Sequence, residues 1–138
     1  MKLKIDHIGI AVSHLEESMK KWEEVFGLKA KNIEEIKERG VKLASLDLEG
    51  GPSLELVSGL AEDSAVAKFI EQRGEGIHHF CFEVEDIHKA VEKLKKKGVQ
   101  FVEPVPVKGA EGSLIAFIHP LSLNGVLVEL KEKTRQRP

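Results

Sequence analysis

Four polar residues of this chain stand where the surrounding pattern calls for core. His7 opens the apolar run HIGIAV and His79 opens HFCFEV. Glu55 lies between Leu54 and Leu56, and Glu129 between Val128 and Leu130. A strand buried on one face turns alternate side chains inward, so each of these groups is aimed at a core or at a site. Any one alone reads better as an edge-strand group facing water. The set says more. Unpaired buried carboxylates are costly, so two imidazoles and two carboxylates that converge need a shared partner. A divalent cation is the economical one. This donor set suits Zn, Co, Ni, Mn or Fe in a five- or six-coordinate site that keeps positions open for water or substrate.

The spacing is not a metal motif in itself; its specificity comes from an internal repeat. A shift of 72 residues carries His7 onto His79, Val12 onto Val84, Leu15 onto Ile87 and Met19 onto Val91. Gly40 falls on Gly112 and Ala44 on Ala116, while Glu55 reaches Glu129 at an offset of 74. Element order, helix stripe and polar positions agree together, which indicates a duplication. Each copy is too small to bury its own sheet well, so the two are expected to pair into one core.

The elements that must position these residues alternate between strand and helix. Residues 3–12 read as a strand. Ser13 and Glu16 have the spacing of a capping box, and Leu15, Met19, Trp22 and Phe26 then make one helical stripe that Gly27 ends. Residues 30–39 read as a charged connector. Strands follow at 41–48 and 53–57 across a Gly-Gly-Pro turn, then a short helix at 64–73. The order then repeats: a strand at 79–84, a helix capped by Asp86 and closed by Gly98, and extended segments at 99–105, 113–118 and 126–132. The expected architecture is α+β, with two tandem βαβββ modules forming one curved, mostly antiparallel sheet around a metal site. As one domain over 1–138, it would place module one at about 3–60, a linking helix at 64–74, module two at 77–132 and a frayed tail at 133–138.

Composition narrows the functional classes. With 41% hydrophobic and 32% charged residues, the chain can form a packed core. A net charge of −2 excludes a whole-protein basic field, so no nucleic-acid partner is expected. No apolar run reaches a membrane-spanning length, so no membrane partner is expected either. The basic, then apolar start MKLKIDHIGIAV is interrupted by Asp6 and His7 and reads as a strand rather than a leader. The single cysteine, Cys81, fits a reducing, cytoplasmic location.

With a histidine opening the first strand of each module and a carboxylate on the last, the paired modules resemble the vicinal oxygen chelate (glyoxalase I-like) superfamily. Within it, DSAVAKFIEQRGEGIHHFCFEVEDI (63–87), KIDHIGIAV (4–12), ERGVKLASL (38–46) and AFIHPLSLNGVLVEL (116–130) look very like methylmalonyl-CoA epimerases. The resemblance covers about 4–132. It implies a metal site of His7, Glu55, His79 and Glu129, and a Co²⁺ ion, with Zn²⁺, Mn²⁺, Ni²⁺ or Mg²⁺ as alternatives. It also implies an acyl-CoA substrate and a homodimer.

The implied reaction exchanges the (R) and (S) forms of methylmalonyl-CoA by removing the proton between a thioester and a carboxylate. A metal that chelates both oxygens stabilises the enolate. Glu129 is the candidate base and Glu55 a second carboxylate that could carry a proton. Where the resemblance places a glutamate base on the second strand of module one, this chain has Leu43. Two alternatives stand beside this reading: a glyoxalase I-type lyase, and a metal-free small-molecule-binding module of the same fold.

The remaining candidates have plainer readings. His78 must face away from His79, and His14 and His88 fall among charged residues on helices. His119 precedes Pro120 in a turn and is expected to structure that loop. Cys81 lacks a basic neighbour at fixed spacing and reads as a small buried filler. Lys42 and Lys108 could meet CoA phosphates, but they read better as surface lysines. No Gly-rich phosphate or dinucleotide loop is present, so the CoA-binding residues stay unassigned.

Overall fold

The run KIDHIGIA forms strand β1 (Lys4–Ala11), in which His7, Gly9 and Ala11 are buried and their neighbours less so. That alternation is the period-2 signature of a strand with one covered face. In the computed structural model of the chain, residues 1–134 are described. The tail expected to fray lies, from residue 135 on, outside them.

The chain divides into two compact units, His7–His78 and His79 onward with Met1–Asp6. The first unit holds β1 from His7, α1 (Leu15–Phe26), β2 (Lys31–Ile36), β3 (Val41–Leu46), β4 (Ser53–Gly59) and α2 (Ala65–Arg73). Its strands lie in the order β2-β3-β4-β1. Strand β1 runs parallel to β4, while β4–β3 and β3–β2 are antiparallel. Leu15, Met19 and Trp22 of α1 pack on Ala44, Leu46, Leu54 and Leu56, as the helical stripe predicts, whereas Phe26, its fourth residue, is 65% exposed. Helix α1 therefore covers one face of this sheet.

The second unit repeats the plan with β5 (Gly76–Val84) from His79 on, α3 (Ile87–Lys96), β6 (Phe101–Lys108), β7 (Leu114–Ile118) and β8 (Val128–Glu132). The order is β5-β8-β7-β6, again with a parallel first pair and antiparallel pairs beyond it. Ile87, Ala90 and Val91 of α3 pack on Ala116, Ile118, Val128 and Leu130. The two βαβββ modules expected from the sequence are both present, each mostly antiparallel.

Two local expectations are corrected. The capping box at Ser13 does not form. The N-cap of α1 is His14, which makes no side-chain cap bond, and the Ser13 N–H donates to the Glu75 carboxylate at 2.8 Å. Glu16, instead of turning back on the helix, accepts a 2.8 Å hydrogen bond from Lys42 Nζ on β3. That bond holds the Glu16 carboxyl below its usual pKa and the Lys42 ammonium above its own. Glu16 is exposed and Lys42 only partly covered, so the pair adds little stability.

The second correction is the charged connector at 30–39, which contains β2. KNIEEI is an edge strand with four of its six residues exposed, Glu34 half-buried and only Ile36 buried. An edge strand with charged side chains has no apolar alternation to betray it. The repeat could have revealed it, because its counterpart 72 residues on lies in the extended segment that became β6.

The expected caps at Gly27 and Asp86 form, Ser64 caps α2 as well, and α3 ends at a C-cap on Lys97, one residue before the Gly98 expected to close it. Ser64 accepts from Ala67 N at 3.1 Å, Gly27 ends α1 with a left-handed φ of 72°, and Asp86 accepts from Lys89 N at 3.1 Å. Glu132 adds a second carboxylate at the start of α3, accepting from Ile87 N at 3.0 Å. Replacing Asp86 with Ala should cost about 1 kcal/mol, the usual value of an N-cap, read as a lower urea midpoint at unchanged m-value.

Candidate functional site

Each module turns its helix-covered face toward apolar packing and keeps its polar pair on the opposite face. In the first, Leu54 and Leu56 join the α1 core. Glu55, between them, therefore points the other way, as does His7 on β1. The parallel register sets Gly9 directly opposite Glu55, with Ser45 of β3 on its other side. His7, two residues before Gly9, is then the diagonal neighbour of Glu55 on one face. Its Nε2 lies 3.6 Å from Glu55 Oε1, and the two side chains are 6% and 12% exposed.

The second module repeats this arrangement residue for residue. Cys81, two residues after His79, stands opposite Glu129. His79 Nε2 lies 3.1 Å from Glu129 Oε1, at 4% and 7% side-chain exposure. Phe117 of β7 flanks Glu129 on the other side and meets the His79 ring edge-on, with centroids 5.9 Å apart. Cys81 is fully buried, so the small-filler reading holds. Its place in module one is taken by Gly9.

The donor sets fit a divalent cation. Two N or O ligands bound at ~2.1 Å and subtending roughly 90–110° lie about 3.0–3.4 Å apart. The His79–Glu129 distance of 3.1 Å falls in that interval, and the His7–Glu55 distance of 3.6 Å lies just above it. Neutral imidazole and carboxylate are borderline-hard ligands for Zn, Co, Ni, Mn or Fe.

Other histidines and lysines sort as follows. His78 meets the Phe69 ring edge-on at 4.8 Å, with Arg73 5.7 Å from the same ring. This histidine is packed against α2 and does not share the face of His79. His119 accepts from Leu121 N through Nδ1 at 3.1 Å and structures the loop before β8. His14, His88 and Lys108 are exposed, and Lys42 is held by Glu16. Neither Phe117 nor Lys131 breaks a pattern in the sequence. The period of two from Glu129 would have placed Lys131 on that residue's face.

Residues 6–117 match the model of the Glyoxalase/Bleomycin resistance protein/Dioxygenase superfamily. The chain is 40% identical over 131 residues to the mitochondrial methylmalonyl-CoA epimerase of Dictyostelium discoideum, covering 94% of this chain and 78% of that protein. It superposes on the crystal structure of methylmalonyl-CoA epimerase from Mycobacterium tuberculosis with a TM-score of 0.90 at 32% identity, covering 96% of this chain and 89% of the other. A methylmalonyl-CoA epimerase solved in complex with methylmalonyl-CoA and NH4+ gives a TM-score of 0.90 at 34% identity, with complete coverage of both chains at 100%. The chain has the glyoxalase-type fold, and by sequence and structure it belongs to the methylmalonyl-CoA epimerase family of the glyoxalase superfamily.

Proposed function

We propose that the chain interconverts the (R) and (S) forms of methylmalonyl-CoA, using one divalent ion held by His7, Glu55, His79 and Glu129. The observation that carries this reading is the duplicated His–Glu pair. It has the same register in two copies of one module, in a chain whose relatives are named for that reaction. On this reading the two modules act as one domain around a single site.

The α-carbon of the substrate lies between a thioester and a carboxylate, so removing its proton puts negative charge on the thioester oxygen. A bound divalent ion, Co²⁺ first among the candidates, supplies Lewis-acid stabilisation of that charge. The residues do the rest. Glu129 Oε receives the α-proton. Phe117 on β7 and the buried Cys81 on β5 stand directly opposite this residue on its two neighbouring strands. Epimerisation needs delivery from the opposite face as well. Leu43, where the resemblance implies a glutamate, is 4% exposed and has no proton to give. Glu55, the counterpart of Glu129 in the other module, is therefore assigned the second face. The same reading carries a cytoplasmic homodimer.

The test is α-proton exchange of methylmalonyl-CoA in D₂O. Metal-loaded protein should wash deuterium into the substrate, lose this after chelation and regain it with Co²⁺. Exchange that survives removal of all bound metal, or none after reloading, would overturn the reading.

A further inference from the structure

We propose that Lys131 binds the free carboxylate of the substrate's acyl group; this rests on the epimerase reading and adds a specificity residue to it. Lys131 lies two positions beyond Glu129 on β8. It therefore projects from the same face, about 7 Å along the strand. Glu83 of β5 stands directly opposite it on one side and Ile115 of β7 on the other. Among the described lysines only Lys42 and Lys131 are not exposed, and Lys42 is bound to Glu16 beside α1. Lys131 is thus the half-buried lysine on the face that carries His79 and Glu129.

Its charge is poised rather than locked. Lys131 Nζ lies 3.6 Å from Asp6 Oδ2, with both side chains about one-fifth exposed, at 21% and 23%. A contact of this length at partial exposure is weak, so an incoming carboxylate can replace it at little cost. The reach also fits. A lysine side chain spans roughly 6 Å, so its ammonium can meet a group held near Glu129 one strand repeat away. The substrate of the proposed reaction carries a carboxylate on the carbon that loses its proton. One carboxylate oxygen facing Lys131 would fix which acyl group is accepted and which face of the α-carbon meets Glu129. Acyl-CoA thioesters without that carboxylate would gain nothing from the residue.

The experiment compares malonyl-CoA with propionyl-CoA, two thioesters that differ by the carboxylate, as ligands of metal-loaded protein in titration calorimetry. The wild type should prefer malonyl-CoA. Lys131→Met should weaken malonyl-CoA by about tenfold or more, the loss expected of a charge-assisted hydrogen bond, and leave propionyl-CoA within about twofold. Lys131→Arg, which keeps the charge, should retain most of the preference. Equal weakening of both ligands, or no change in either, overturns the assignment. If Lys131→Met fails to fold, Lys131→Gln serves as the second variant, with the propionyl-CoA affinity reporting an intact site. Methylmalonyl-CoA exchange that persists in Lys131→Met with an unchanged malonyl preference overturns the Lys131 role alone. Wild-type protein that binds neither thioester and exchanges no proton overturns the epimerase reading and this assignment together.

Discussion

The His79→Ala protein is expected to purify without its divalent ion and to exchange no α-proton. The substitution removes one of two imidazoles from the proposed ligand set and takes away the Glu129 partner at 3.1 Å. The carboxylate left behind is 7% exposed, and losing one partner of a buried polar group costs about 1–3 kcal/mol. Loss of metal and loss of stability should therefore appear together, and excess Co²⁺ should not restore the wild-type melting temperature. The control is the adjacent His78→Ala. That side chain packs on Phe69, so its removal should leave metal content and exchange nearly unchanged. Metal analysis after gel filtration, circular dichroism and D₂O exchange read the three properties separately. A His79→Ala protein that keeps stoichiometric metal and exchanges normally would remove His79 from the site.

A second large effect is expected from Glu129→Gln. The amide keeps an oxygen that can face a cation, is nearly isosteric, and has no basicity. Turnover should fall by about 100- to 10,000-fold, the range for losing a positioned general base, while the fold survives. The comparison with Glu55→Gln is sharper than the rate. If the two glutamates serve opposite faces of the α-carbon, each single variant keeps one proton carrier. It should then wash deuterium into one epimer faster than into the other, without interconverting them. The two variants should show opposite epimer preferences. Identical preferences, or full epimerisation by either protein, would exclude the two-carboxylate assignment.

The four residues proposed for the site stand out in the sequence more plainly than some of the elements around them, and the reason is physical. His7, Glu55, His79 and Glu129 stood out because each breaks an apolar strand, and burial of a polar group needs a cause. The structure places all four on faces not covered by α1 or α3. The two long helices were equally clear, since α1 and α3 bury stripes at helical spacing. Strand β2 was not, because Ile33 is exposed along with Lys31, Asn32 and Glu35, leaving no pattern to read. The start of α1 was misplaced by a residue for a different reason. Glu16 has a choice between a local backbone partner and the Lys42 ammonium, and only the folded chain brings Lys42 near. Phe117 and Lys131 escaped notice because their importance lies in cross-strand register, which a single sequence states only after the pairing is known.

The equal register of the two parallel pairs, Gly9 opposite Glu55 and Cys81 opposite Glu129, has a consequence for how the chain can change. Histidine and glutamate meet across a parallel ladder, so the chain between them can lengthen or shorten without altering their separation. The offsets of 72 and 74 record one such change, absorbed ahead of β8. A slip of one residue inside β8 is another matter. It would turn Glu129 under α3 and bring Leu130 to the polar face, disabling the module at almost unchanged length and composition. Insertions in the connecting loops are thus the tolerated direction of variation, and single-residue shifts within the ladder the lethal one.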